Sequence, residues 1–230
     1  MRHKELLKRV SIFADLDDSA LASLERIATE RQFSRESVIV SQEDKGDALY
    51  VVVDGKVKVV LYGRSGREVI LSVFKPGDFF GEMSLLDNQP RSANVIALEP
   101  ATMLVVERKA FADHVANHPK VALGILKEMS RRLRRADAII GNLALLDVFG
   151  RVARYLRELA KTDGEPLEGA VIIRARPTQQ EIASMIGTSR ETVSRALSEF
   201  QRRGFIELSG KRIILRASFV LSDDYALEAG

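Results

Sequence analysis

The sequence predicts an α+β protein of two domains, and three observations carry that expectation. From Phe33 to about Arg108, short alternating apolar runs are punctuated by glycine, the patterning of many short strands. Apolar or small residues then fall at Ala122, Leu126, Met129, Leu133, Ala136, Ile140 and Leu143, in alternating steps of four and three, which is a heptad seam. Thr178 to Arg195 carries helix-turn-helix spacing. At 230 residues the chain exceeds one ordinary domain, for which about 150 residues is the working figure.

Composition narrows the classes. An apolar fraction of 46% with 29% charged residues is the mix of a soluble globular protein with a real core. Cysteine is absent, which excludes disulfides, cysteine-type zinc sites, iron–sulfur clusters and thiol nucleophiles. No stretch reaches the ~18 consecutive apolar residues of a membrane span, so no membrane partner is expected. Met1-Arg2-His3-Lys4-Glu5 lacks the apolar core of a signal peptide, and a cytoplasmic location is expected. Net charge is only +3, but Lys127, Arg131, Arg132, Arg134 and Arg135 cluster against the single Glu128. Such a run is either a solvated helix face or a contribution to binding a polyanion.

Residues 1 to about 32 are expected to be helical, with Leu21, Leu24, Ile27 and Ala28 at helical spacing and Asp17 or Asp18 as N-cap. Ala48 to Val53 leads into Asp54-Gly55, a hairpin signal, and on to Lys56–Leu61. Gly63 and Gly66, then Pro76-Gly77, mark further turns, and Ala101 to Val106 is a last strand. Together these predict an all-β barrel or roll of about 75 residues. Lys109 to about Leu146 reads as one long helix of about ten turns, too long for its seam to be hidden inside a small roll. A parallel two-stranded coiled coil follows, hence a homodimer through the 122–143 seam. The expected domains are 1–146, including the long helix at about 109–146, and 147–230. In the second, Val148–Leu159 should be helix, Thr162–Pro166 loop and Val171–Arg174 strand, before two helices and a glycine-centred hairpin.

Within the helix-turn-helix segment, Ala183 is small where two helices cross, Gly187 supplies a left-handed turn, and Val193 points back into their angle. Thr178 and Ser189 stand at N-cap positions, and Gln180 and Glu181 enrich the first turn. The second helix exposes Arg190, Glu191 and Arg195. Arginine can grip guanine O6 and N7 bidentately, and glutamate can accept from cytosine N4. Thr178, Ser189 and Thr192 are placed for phosphate. Ser209-Gly210-Lys211 between two apolar runs makes a β-wing. Double-stranded DNA is the expected partner, read as a pseudo-palindrome with half-sites about 34 Å apart.

Phe80-Gly81-Glu82-Met83-Ser84-Leu85, Pro90-Arg91-Ser92-Ala93, Gly141-Asn142-Leu143-Ala144, Asp147-Val148 and Ser189-Arg190-Glu191-Thr192-Val193 resemble the cyclic-AMP receptor protein/FNR family of bacterial transcription regulators. The resemblance covers nearly the whole chain. It implies a cyclic-nucleotide-binding β-roll of the double-stranded β-helix type, a dimerisation helix and a winged helix-turn-helix. It implies that Arg190, Glu191 and Arg195 read a TGTGA type of half-site, with Thr178 and Ser189 on phosphate. Gln179, Gln180 and Thr192 complete the candidate DNA-binding set, Gln179 standing where the family pattern has arginine. RNA polymerase is a further expected partner.

Gly81, Glu82, Met83, Ser84, Arg91 and Ser92 resemble the family's phosphate-binding cassette. A buried arginine can neutralise a cyclic phosphodiester through its planar fork, and Ser92 with backbone N–H groups would complete the cradle. Glu82 can accept from a ribose 2′-hydroxyl. Ala136 and Asp137 match the positions from which the family's paired long helices bind the base. Ala136 has no polar group, whereas the Asp137 carboxylate can accept from adenine N6 or pair with guanine N1–H and N2–H. Cyclic AMP is the first expectation as allosteric ligand, with cyclic GMP or a cyclic dinucleotide as alternatives and a ligand-independent DNA-binding regulator as a third.

Other classes find little support. An FNR-type oxygen sensor needs cysteines. His114 and His118 share a helix face at i, i+4 without a third ligand, so no metal is expected. There is no P-loop, Rossmann glycine fingerprint or Ser-His-Asp order in family context, so neither an enzyme nor a catalytic cofactor is expected.

Overall fold

The computed structural model describes residues 3–221. Two helices, α1 (Lys4–Arg9) and α2 (Asp18–Ile27), precede the sheets. Asp17 caps α2, its carboxylate accepting from Ala20 N at 2.8 Å. The opening helical texture ends earlier than expected, because strand β1 (Thr29–Phe33) follows at once. β1 lies at a sheet edge with mostly exposed side chains, so no apolar alternation announces it.

Seven more strands build the roll: β2 (Val38–Val40), β3 (Ala48–Asp54), β4 (Val57–Tyr62), β5 (Glu68–Phe74), β6 (Phe79–Phe80), β7 (Asn94–Ala97) and β8 (Ala101–Glu107). A short helix α3 (Glu82–Asp87) sits between β6 and β7. The strands form two antiparallel sheets, ordered β1-β8-β3-β6 and β2-β7-β4-β5. Ala48 and Val52 of β3 and Met103 and Val105 of β8 face the roll interior, with Val57, Phe80 and Val95. Leu49, Val51, Leu104 and Val106 point the other way, in one cluster with Leu7, Leu21 and Phe111 of the helices and Phe13 of the turn between α1 and α2. Strands buried on both faces read as unbroken apolar runs, which is the pattern of Ala48–Val53.

The hairpin expected at Asp54-Gly55 does not form. β3 and β4 belong to different sheets, so this turn passes the chain from one sheet to the other. Gly55 has φ +79, and a Cβ there would stand 2.4 Å from the Pro100 carbonyl oxygen, so tertiary contact dictates the glycine. The Gly63–Gly66 turn does close a hairpin, β4–β5, with Gly63 N donating to Arg67 O at 2.9 Å.

The single long helix expected from Lys109 is two helices, α4 (Arg108–Asn117) and α5 (Lys120–Leu145). Pro119 separates them: it offers no N–H and disfavours helical φ and ψ at the residue before it, and His118 sits at φ -132, ψ 74. At 26 residues, α5 is still about 39 Å long. It buries Val121, Gly124, Ile125 and Glu128. On another face Leu126, Leu133 and Ile140 are each 63% exposed and Leu143 50%, too open to be core within one chain.

The chain divides into two compact units, Met1–Arg135 and Ala136–Gly230, with the division inside α5. The second unit continues through α6 (Val148–Asp163), capped by Asp147, which accepts from Gly150 N at 2.7 Å. The loop expected at Thr162–Pro166 is partly structured, since α6 runs to Asp163 and β9 (Glu165–Leu167) pairs with β10 (Ala170–Ile173). Then come α7 (Gln179–Ile186), α8 (Arg190–Arg202), β11 (Ile206–Ser209), β12 (Arg212–Arg216) and α9 (Ala217–Leu221). The sheet runs β11-β12-β10-β9. Val152, Leu156, Ile182, Ala183, Val193, Leu197 and Phe200 fill the core between it and the helices.

Candidate functional site

The cassette begins where β6 ends. Gly81 adopts φ +90, and a Cβ would meet Arg91 Nη1 at 2.6 Å and Ala48 O at 2.7 Å, so both backbone and space demand glycine. Arg91 follows α3 and is only 6% exposed. Its Nη1 donates to Gly81 O and its Nη2 to Ala48 O, each at 2.8 Å, and it lies 5.8 Å from the Tyr50 ring centroid. Backbone bonds fix its place, Arg91 N donating to Asp44 O and Glu43 N to Arg91 O. Burial depresses its pKa, while Tyr50, Asp47 and Glu82 work to restore it; guanidinium stays charged regardless. Arg91 also lines a cavity of about 590 Å³, with Arg31, Asp44, Asp47 and Tyr50 among its walls.

Glu82 opens α3 and is 1% exposed. One oxygen accepts from Arg132 Nη1 at 2.8 Å, and the other is buried without a partner. Burial raises its pKa above the ordinary carboxylate range, and Arg132 offsets only part of that. Ser84 is buried beneath Gly46, where a Cβ would stand 2.2 Å from Ser84 Cβ. Met83 and Ser92 are exposed, the Ser92 hydroxyl lying 3.9 Å from Met83 Sδ. The structure thus brings Gly81, Glu82, Met83, Ser84, Arg91 and Ser92 together. Ala136 and Asp137 lie exposed on α5, in the second compact unit.

Three residues of this neighbourhood escape sequence reasoning. Arg108 holds the C-terminal carbonyls of α3, donating to Ser84 O at 2.9 Å and Leu85 O at 3.2 Å. Arg132 turns inward from the basic run, stacking over Phe79 at 4.7 Å and Phe74 at 5.2 Å. Glu128 pairs with it at i, i+4, and that spacing is the one sequence signal for the pair.

In the second unit, Thr178 and Glu181 form a capping box at α7, with Glu181 N donating to Thr178 Oγ1 at 3.2 Å and Thr178 N to Glu181 Oε2 at 2.7 Å. Gly187 takes φ +71, and Ala183 and Val193 are fully buried at the helix crossing. Ser189 caps α8, accepting from Thr192 N at 3.2 Å. These caps aim the exposed face of α8. Arg190, Glu191, Ser194, Arg195 and Ser198 line a groove of about 600 Å³ with Gln179 at its edge, and Gln180 is exposed nearby. Arg195 is held toward Thr192 by a 3.3 Å bond. The wing turns at Gly210, with φ +57. Such a convex helix with two arginines and a glutamate near its N-terminus matches what major-groove edges offer.

A buried, arginine-bearing phosphate cassette in a β-roll and a capped helix-turn-helix with a wing define a cyclic-nucleotide-responsive transcription regulator. A family model of the cyclic nucleotide-binding domain matches residues 30–118, and one of the Crp-like helix-turn-helix domain matches residues 150–218. The CRP-like cAMP-activated global transcriptional regulator of Mycobacterium tuberculosis (strain H37Rv) is 36% identical over 214 residues, covering 93% of this chain and 96% of that protein. The cAMP-activated global transcriptional regulator CRP of Escherichia coli O157:H7 is 34% identical over 185 residues, 80% of this chain and 88% of that one. Among solved structures, the Thermus thermophilus catabolite activator protein aligns with TM-score 0.55 at 31% identity, over 91% of this chain and 98% of that chain. The c-di-GMP-responsive global regulator CLP of Xanthomonas campestris shares the fold with TM-score 0.77, at 24% identity over 87% of this chain and 99% of that chain.

The chain belongs to the CRP/FNR family of transcription regulators, whose named members here are regulators rather than enzymes. Among the described residues no helix is long and apolar enough to cross a membrane. No group of three or more potential metal-ligating side chains occurs among them either; the His114 and His118 rings lie 4.5 Å apart as an isolated pair.

Proposed function

We propose that this regulator is a homodimer whose affinity for a pseudo-palindromic DNA site is set by cyclic AMP. The observation that carries the reading is the pairing of one buried countercharge, Arg91, with one buried and unpartnered acceptor oxygen, on Glu82. A cyclic phosphate monoanion with a free ribose hydroxyl is complementary to that pair. Gly81, Met83, Ser84 and Ser92 shape the rest of the cradle. The exposed Leu126, Leu133, Ile140 and Leu143 of the seam support the dimer, in which Ala136 and Asp137 would stand at the base. Asp137 specifically favours a second reading, cyclic GMP, whose N1–H and N2–H match a carboxylate. Residues 1–146 then sense the ligand, and 147–230 read DNA through Thr178, Gln179, Gln180, Ser189, Arg190, Glu191, Thr192 and Arg195. RNA polymerase is the natural target of the bound dimer, and the cytoplasm its place.

Calorimetric titration with cyclic AMP, cyclic GMP and cyclic di-GMP tests this. Wild type should bind one mononucleotide per protomer. Arg91→Ala should lose about 1.5–3 kcal/mol, the worth of a hydrogen bond to a charged group, or roughly 10- to 150-fold, with the circular dichroism spectrum unchanged. Equal affinity of the two proteins would place the ligand elsewhere.

A further inference from the structure

α5 brings a second carboxylate to the cassette. Glu128 is 6% exposed and both its oxygens are engaged. Oε1 accepts from Arg132 Nε at 3.0 Å, and Oε2 accepts from Ser11 Oγ at 3.2 Å and lies 2.7 Å from Arg131 Nη2. Arg132 is thereby committed at every nitrogen: Nε to Glu128, Nη1 to Glu82 at 2.8 Å, and Nη2 to the Phe79 carbonyl at 2.7 Å. One guanidinium is shared by two buried carboxylates, and of those two only Glu82 keeps an oxygen free of protein partners.

We infer that Glu128 is a positioning residue for ligand recognition: by holding Arg132 it sets how much of that arginine's charge reaches Glu82, and so how strongly Glu82 accepts a ribose 2′-hydroxyl. The inference rests on the reading of the cassette as a cyclic-nucleotide site.

An ionised carboxylate accepts at both oxygens, whereas a protonated one turns donor at one of them. The charged groups that face Glu82 are Arg132 and Glu128 from α5 and Arg91 from the segment after α3. Burial raises Glu82, Arg132 lowers it, and Glu128 works against Arg132. Glu128→Gln keeps an oxygen for Arg132 Nε but removes the opposing charge, so Glu82 ionises at lower pH. Arg131 is exposed and neutralises Glu128. Arg131→Ala therefore strengthens Glu128 and moves Glu82 the other way.

The test is the pH profile of nucleotide affinity by calorimetry, with cyclic AMP and with 2′-deoxy cyclic AMP. Binding needs the ionised acceptor, so wild-type affinity for cyclic AMP should be full at high pH and fall as pH drops through the raised Glu82 value. Glu128→Gln should share the plateau but bind more tightly than wild type on the falling limb, because loss of the opposing charge moves the ionisation of Glu82 to lower pH. Arg131→Ala should displace the limb upward, by less, and keeps the test decisive even where Glu128→Gln does not fold. The 2′-deoxy nucleotide, which offers Glu82 no donor, should show no such displacement in either variant. Limbs superimposed on that of wild type, or a 2′-deoxy profile displaced equally, would overturn the positioning role alone. A wild type that binds neither cyclic AMP nor cyclic GMP would overturn the reading of the cassette and the inference with it.

Discussion

Gly124 and Gly141 lie on the same helix, and alanine should act on them with opposite sign. At Gly124 a Cβ would stand 2.8 Å from Ile12 Cα, 2.9 Å from its carbonyl oxygen and 3.1 Å from its carbonyl carbon. Backbone atoms cannot yield by rotating a side chain, so the segment before α2 has to move. At Gly141 nothing lies within 4 Å of the Cβ position. Exchanging glycine for alanine in a helix stabilises by about 0.5–1 kcal/mol. Overpacking costs about 1–3 kcal/mol, and at Gly124 it outweighs the propensity gain. Net of that gain the cost reaches about 2.5 kcal/mol, and with roughly 2–4 °C per kcal/mol for a chain of this size, Gly124→Ala should melt below wild type, by up to about 10 °C. Gly141→Ala should melt roughly 1–4 °C above it. Thermal unfolding by circular dichroism at one fixed protein concentration reads both. A Gly124→Ala variant as stable as wild type would refute the close approach of α5 to Ile12.

Acid should also weaken the first unit through His114, which is 5% exposed with Nε2 unpartnered. Burial, and then the neighbouring His118, push its pKa from 6.5 to about 4. The folded value lies below the unfolded one, so stability is full above pH 6.5 and drains as pH falls toward 4, by roughly 3 kcal/mol at most. His114→Leu should flatten that decline in urea unfolding, and an unaltered slope would count against it. On the DNA side, Arg190→Ala or Arg195→Ala should each lose about 1–3 kcal/mol and relax preference at one guanine. A variant that binds a TGTGA-containing duplex as wild type does would remove that arginine from base reading.

What the sequence made legible was local. Ala183, Gly187 and Val193 announced the helix crossing because steric needs at fixed spacing leave few residue choices, and Arg91 stood out inside a short motif. The Asp54-Gly55 turn was misread because a turn signal does not say whether its strands pair; the partner of Gly55 is Pro100-Ala101, far along the chain. Apolar spacing continues across Pro119 and masks the break between α4 and α5. Arg132 was hidden for another reason. It continues the inward row Val121, Ile125, Glu128, beside the seam the periodicity picked out. Because that row ends in charges, no apolar pattern reveals it.

Ligand-gated DNA reading is tested most directly by fluorescence anisotropy of a labelled TGTGA-type pseudo-palindromic duplex. The protein is titrated at one fixed salt concentration, without nucleotide, with cyclic AMP and with cyclic GMP. A ligand shifts the balance of DNA-competent and incompetent states only by its differential affinity for them. Coupling of about 1–3 kcal/mol is typical, so the cognate nucleotide should tighten binding roughly 5- to 150-fold. Asp137→Ala should reduce that gain and change the ratio of the two nucleotides' effects. Identical isotherms for wild type in all three conditions would contradict the account.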